Sequence, residues 1–287
     1  MVRADVGIVH PGSMGAQVAA QAVAAGAGVR WLAEGRSAAT RERADALGLE
    51  TARSMAELTA GCEVILSVCP PAAALDVARQ VAAARFGGIY VDANAISPQH
   101  MTQISQVLRA DGAVVVDGGI TGPPPRRSGT TRLYLSGDDA AVETVRALFD
   151  GTLLTPVVLP GPIGRASALK LAFAAYNKIS YALAAEAGAL AADHGVLEEL
   201  RDLAAHLLPG TPLARPEQLA GAGAKAWRWE PEMREIAEAW RSSGLPGTFA
   251  DAAAHTFDRW QAHKDDRNVP SDRLIADLLP GRPDEET

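Results

Sequence analysis

Residues 7–15 read GIVHPGSMG, and the fold turns on how this stretch is understood. It overlaps the apolar run DVGIV (5–9), which reads as a buried strand, and runs into an alanine-rich stretch from Met14 to about Ala25 that reads as a helix. A glycine turn between strand and helix places unobstructed backbone N–H groups at a helix N-terminus, where they can face a pyrophosphate. Gly12 lets phosphates come close, Ser13 and Met14 open the helix, and Gly15 lets that helix pack tightly on the strand. His10 takes the place of the first glycine of G-x-G-x-x-G. A residue before proline prefers an extended backbone, so His10 followed by Pro11 can still make the turn. The stretch is expected to be a working variant, with His10 outside the left-handed region.

Outward from this turn, apolar runs and helical patterns alternate. GVRWLA, EVILSVCP, GGIYVDAN, GAVVVDGGI, RLYLSG and TPVVLP read as strands, with ATRERADALG, MAELTAG, AALDVARQVAA, SPQHMTQISQVLRA and DAAVETVRALFD as helices between them. This alternation predicts a doubly wound, mostly parallel sheet covered on both faces, the α/β Rossmann arrangement. After Gly164 the texture changes: from Arg165 to about His194 there is no proline and one glycine, which predicts a helix of ~45 Å. The remainder is helical with proline and glycine punctuation. The expected division is a dinucleotide-binding domain over 1–164 and an all-α domain over 165–287, joined by the long helix, with the tail GRPDEET frayed.

Composition narrows the function classes. The chain has 287 residues, 48% of them hydrophobic and 21% charged, which suits a soluble protein with a sizeable core. A net charge of −7 argues against a nucleic-acid partner. No run has signal-peptide form or membrane-spanning length, and Cys62 and Cys69 match no disulfide or metal pattern. The histidines His100, His194, His206, His255 and His263 form no metal spacing, so no metal is expected. A cytoplasmic protein acting on a small molecule, away from membranes, is the expectation.

At the end of the second strand, where a dinucleotide's adenosine ribose is read, stands Glu34-Gly35-Arg36-Ser37. Glu34 suits ribose hydroxyls and NAD(H), which stays open. Arg36 with Ser37 suits a 2′-phosphate, and this side-by-side pair favours NADP(H).

These pieces together resemble the β-hydroxyacid dehydrogenase and 6-phosphogluconate dehydrogenase superfamily over nearly the whole chain. GIVHPGSMG is similar to that family's first loop, and Gly35-Arg36-Ser37 to its N-R-T cofactor turn. VDANAISP resembles D-x-x-T-x-x-P, and DGGITGP resembles the D-A-P-V-S-G-G substrate loop, with Thr121 at the serine and Gly122 at the first glycine. GRASALKLAFAAYNK resembles the G-x-G-x-x-x-K-x-x-N-N helix, which places the family lysine at Lys170 and Ala174 where an asparagine is usual. The segment AWRWEPEMREIAEAWRSSGLP resembles a less characterised branch with a phosphogluconate-dehydrogenase-like C-terminal domain, a relative of the imine reductases. The resemblance implies a Rossmann domain, an NAD(P) cofactor with Pro70 near it, and a homodimer formed through the helical domains. Asn94 follows a strand end, where such sheets take ligands, and is expected on the nicotinamide side.

Lys170 is the one cation within SALKLAFAA, and a desolvated lysine can exchange protons near neutrality. As general acid/base it would hand a proton to a carbonyl oxygen while hydride arrives, or take it back in alcohol oxidation. Helical spacing puts Asn177 and Tyr181 near the face of Lys170, and Lys178 about 80° away, on the surface or at an interface. Thr121 and Gly122 are the other substrate-binding candidates, and Arg126 and Arg127 suit an anionic substrate or a solvated turn. Trp227, Trp229 and Met233 suit either a pocket wall or the bundle core. Two alternatives accompany the hydroxy/carbonyl oxidoreductase: an imine reductase using a donor such as Tyr181, and a non-catalytic NADP-binding protein.

Overall fold

The computed structural model describes residues 5–279, and the tail GRPDEET lies outside them. The chain forms two compact units, Met1–Leu171 and Ala172–Thr287, so the division falls inside the long helix, past its first turns.

In the first unit, strand β1 (Asp5–Ile8) leads through the glycine turn into helix α1 (Ser13–Ala24). There follow β2 (Gly28–Leu32), α2 (Ala38–Ala46), β3 (Glu50–Ala52), α3 (Met55–Ala60) and β4 (Val64–Ser67). A short 3-10 turn (Pro71–Ala73) precedes α4 (Ala74–Ala83), β5 (Ile89–Asp92), α5 (Pro98–Arg109), β6 (Val114–Thr121) and β7 (Thr131–Gly137). Helix α6 (Asp139–Ala147) and β8 (Leu154–Val158) complete an eight-stranded sheet of order β3-β2-β1-β4-β5-β6-β7-β8. All pairings are parallel except β6 with β7, which the short loop 122–130 returns antiparallel, being too short for a helical crossover.

The strands carry apolar side chains to both faces, as a doubly covered sheet requires. One core gathers Ile8, Trp31, Leu66, Val91 and Val116; the other gathers Ile65, Tyr90, Val115, Met101 and Ile104. The sheet reverses its winding between β1 and β4, which opens a crevice at their carboxyl ends where such sheets take ligands. Ser37, Ser54, Ser97 and Asp138 cap α2, α3, α5 and α6 with side-chain oxygens, the usual supply of acceptors for orphan N–H groups. At α1 no side chain does so.

Helix α7 (Arg165–Asp193) runs 29 residues. The second unit adds α8 (Leu197–Leu207), α9 (Gln218–Gly223), α10 (Ala226–Ser242), α11 (Thr248–Asp258) and α12 (Ser271–Ala276). Its core is aromatic: Tyr181 meets Trp229 at 5.7 Å between ring centroids, Trp229 meets Phe257 at 5.4 Å, and Phe257 meets Trp260 at 5.9 Å. Trp229 and Met233 are bundle-core residues, while Trp227 turns outward under the Lys264 ammonium. Among the described residues no helix is long and apolar enough to cross a membrane.

Candidate active site

The glycine turn has the geometry a pyrophosphate needs. The backbone N–H of Gly12 donates to the His10 carbonyl at 2.8 Å, closing a tight turn at the end of β1. His10 is not among the residues of positive φ, so the turn out of the strand is made without a left-handed residue there. Gly15 is required by packing: a Cβ on it would stand 2.2 Å from the His10 carbonyl oxygen. Gly12 is different, since a Cβ there would meet nothing within 4 Å. The space beside Gly12 is therefore open, and the first turn of α1 presents N–H groups with no side-chain cap and no acidic residue beside them. That is the electrostatic setting for an anion.

Beside this turn sits a cationic corner. Arg36 is half-buried, its Nε has no partner among the described residues, and its charge acts on His10. Burial first, and the Arg36 charge second, push the His10 imidazole down to about 4, so this ring is neutral near pH 7. Its buried Nδ1 likewise has no partner among the described residues. Glu34 is exposed at the same turn, and Ser37 accepts from the Thr40 N–H as the cap of α2. Uncapped N–H groups, open space at Gly12 and unpartnered polar atoms at Arg36 and His10 fit a dinucleotide phosphate site.

Further along the carboxyl edge, Pro70 is exposed at the turn after β4. Asn94 is 3% exposed and its amide is taken up inside the protein. Its Oδ1 accepts from the Cys69 N–H, and its Nδ2 donates to Ser67 Oγ at 3.1 Å and Asp92 Oδ2 at 3.0 Å. Asn94 thereby ties the exit of β4 to that of β5. Burial, with Asp117 as an added like charge, pushes the fully buried Asp92 carboxyl up to about 7, although Asn94 hydrogen bonds oppose this.

Thr121 ends β6 half-buried, and Gly122 follows with φ +102°, where a Cβ would stand 2.1 Å from the Thr130 carbonyl oxygen. Both a left-handed backbone and a close approach demand glycine there. Pro125 is buried and its carbonyl accepts from Gln21 Nε2 at 3.3 Å, which ties this loop to α1; Arg126 and Arg127 are exposed beside it. Lys170 is half-buried on α7, and its ammonium donates to the Ile120 carbonyl, next to Thr121. The structure therefore brings Lys170, Thr121 and Gly122 together at the carboxyl end of β6. Asn177 and Tyr181 belong to the second unit, where the Tyr181 hydroxyl donates to Gln218 Oε1 at 3.3 Å.

Two side chains correct or extend the sequence reading. Lys178, expected at the surface or an interface, is 8% exposed and forms an ion pair with Glu232 beneath the Trp229 ring. The partner lies on another helix, so spacing along α7 gave no sign of it. Asp117 drew no attention from the sequence, yet its carboxylate collects the N–H groups that open α7. An acid inside the apolar run VVVDGG was the available signal, since a buried carboxylate demands partners.

Residues 5–152 match the NAD binding domain of 6-phosphogluconate dehydrogenase, and residues 191–260 match a domain of unknown function, DUF1932. An uncharacterized 28.5 kDa protein from Methanothermus fervidus is 28% identical over 180 residues, 61% of this chain. The match spans 66% of that protein, just under two thirds of the relative's length. Among solved structures, a conserved protein of unknown function, described as similar to 3-hydroxyacid dehydrogenases, aligns with 26% identity and TM-score 0.71 over 90% of this chain and 97% of its own. A Mycobacterium tuberculosis 3-hydroxyisobutyrate dehydrogenase with L-serine aligns at TM-score 0.77 and 18% identity, covering 97% and 100%. An Aspergillus terreus reductive aminase with NADPH and ethyl levulinate aligns at 0.56 and 20%, covering 97% and 100%. The last two likenesses are of fold.

Proposed function

This chain belongs to the β-hydroxyacid dehydrogenase and 6-phosphogluconate dehydrogenase superfamily of NAD(P)-dependent dehydrogenases and reductases, and from that premise we propose an NADP(H)-dependent oxidoreductase acting on a small carbonyl or hydroxy substrate of hydroxyacid type. The observation that carries the reading is one edge of one sheet. Strands β1, β4, β5 and β6 are parallel, so the glycine turn after β1 and the Lys170–Ile120 contact near the end of β6 share the carboxyl edge. Three strand spacings, ~14 Å, separate β1 from β6.

Gly12, Ser13, Met14 and Gly15 hold the pyrophosphate, Arg36 and Ser37 take the 2′-phosphate with Glu34 beside the ribose, and Pro70 borders the cofactor. Asn94 holds the Cys69–Pro70 turn in place. The nicotinamide supplies or accepts hydride when bound. Lys170 moves the proton at the substrate oxygen: it donates in reduction and accepts in oxidation. Thr121 and the Gly122 N–H hold the substrate's carboxylate or carbonyl; Asn177 and Tyr181, later on the same helix, are the other substrate-binding candidates.

A second copy of this chain is the proposed partner. The exposed apolar residues Leu169, Phe173, Tyr176, Leu183 and Leu190 recur at helical spacing along one side of α7, 38% to 81% exposed. An apolar stripe of this kind on a 29-residue helix, interrupted at Ser180, is the surface an isologous interface buries.

The test is NADPH consumption by the wild type and Lys170→Met against carbonyl compounds, hydroxyacids and cyclic imines. Turnover of carbonyls lost in the variant supports the reading. Imine turnover retained by Lys170→Met moves the protein to imine reduction, and tight NADPH binding without turnover by the wild type moves it to a non-catalytic binder.

A further inference from the structure

Asp117 stands in the interior of β6 with 0% exposure. Its Oδ2 accepts from the backbone N–H of Gly164 at 2.8 Å, Ala166 at 2.9 Å and Ser167 at 3.1 Å, and from the Ser136 hydroxyl at 2.9 Å. Its Oδ1 accepts from the Ser167 hydroxyl at 2.6 Å. Ser136 Oγ in turn accepts from the Ala166 N–H at 3.2 Å. This carboxylate caps the start of α7 from a strand that precedes it by 47 to 50 residues. A buried carboxylate is sustained by such donors and by the positive end of the helix.

The cap does more than begin a helix. Asp117 binds Ser167, and three residues on in each element Ile120 accepts from Lys170. Between these contacts lies Gly119, where a Cβ would stand 2.8 Å from the Ala166 carbonyl oxygen and 3.3 Å from Lys170 Cβ. No side chain fits there, so α7 rests directly on the strand. Three residues advance ~10 Å along a strand and ~4.5 Å along a helix, so two contacts at these spacings fix the crossing angle as well as the depth. The long Lys170 side chain makes up the difference.

We propose that Asp117 is the positioning residue for Lys170: by clamping the first turn of α7 onto β6 it sets where the ammonium lies at the β6 carboxyl end. The proposal rests on the reading of Lys170 as the proton-transfer group for its functional meaning, and its test does not depend on turnover. The chain has four lysines, Lys170, Lys178, Lys225 and Lys264, so each can be followed separately. Trace labelling of the folded full-length protein with acetic anhydride over about pH 7 to 11, read by peptide mass spectrometry, gives a reactivity profile for each amine. In Asp117→Asn, and in Ser167→Ala where one hydrogen bond is removed, Lys170 should change reactivity about threefold or more, with Lys264 unchanged. Ser167→Ala decides the matter if Asp117→Asn fails to fold. Unchanged Lys170 profiles in folded variants overturn the proposal, as does a change shared equally by Lys170 and Lys264, which would mark general loosening. Carbonyl turnover surviving in Lys170→Met would remove the proton-transfer reading and leave the labelling result standing.

Discussion

The carbonyl oxygen of His10 occupies the space a side chain on Gly15 would need, 2.2 Å from the position of such a Cβ. The first helix thus starts in direct backbone contact with the end of the first strand. Gly12, three residues earlier, has open space on its Cβ side. The two glycines are kept for different reasons, and they can be separated by experiment. Gly15→Ala forces α1 away from β1 and should cost about 1–3 kcal/mol in urea unfolding. Gly12→Ala should fold with unchanged stability, because its φ of −70° suits any residue, yet weaken NADPH binding about tenfold by fluorescence titration. Equal NADPH affinity in Gly12→Ala and wild type would remove the phosphates from this turn.

Arg36 tests the choice of cofactor. Its Nε has no partner among the described residues, and its side chain is half-buried beside neutral His10. Arg36→Gln should weaken NADPH binding by about 10- to 100-fold, the worth of one or two charge-assisted hydrogen bonds, and leave NADH binding within a factor of about two. Equal losses for both cofactors would give Arg36 a structural role at the turn.

Asp92 makes stability fall with rising pH in one window. Its folded-state value of about 7, raised chiefly by burial, lies above the 3.8 of a free carboxyl. Between those values the folded chain keeps a proton that the unfolded chain has released, so this group's contribution declines as pH rises and is level above about 7. The full span is at most ~4 kcal/mol. Asp92→Asn carries no such charge, so its stability relative to wild type, measured by urea unfolding, should improve from pH 5 to pH 8. A constant difference across that range would show Asp92 ionised in the folded protein throughout.

The α7 stripe predicts assembly. Leu183 is 66% exposed and Tyr176 81%. Replacing both by glutamate should leave helical content unchanged by circular dichroism and convert a dimer to a monomer in light scattering. A wild-type monomer at micromolar concentration would leave the stripe without its proposed occupant.

How much of this was legible in the sequence follows from the range of the interactions. The β1 turn and α7 could be read because their signals are local: an apolar run broken by Pro11 and Gly12, and a long segment free of proline. β3 went unread because it is three residues, ETA, of which two are exposed, so it has neither length nor an apolar pattern. The reversed direction of β7 was invisible too, since strand periodicity carries no direction. Lys170, Thr121 and Gly122 are nominated by spacing and resemblance, and the fold places them at one strand end. Asp117 and Lys178 escaped because their meaning lies in partners on other elements. A lysine among alanines looks solvated until Glu232 is seen beneath it.

Ser67, Asp92, Asp117 and Ser136 stand in register across β4, β5, β6 and β7, all of them buried. In-register neighbours share a face, so four polar side chains form a seam through an otherwise apolar sheet. Its two acids serve opposite masters, Asp92 holding the β4–β5 turns and Asp117 holding α7. The charge of Asp117 raises the cost of ionising Asp92, so removing it lowers that cost. The seam thus couples the two halves of the carboxyl edge electrostatically, and a substitution at 117 should change the cost of one at 92. A double-mutant cycle would show that dependence as an interaction energy.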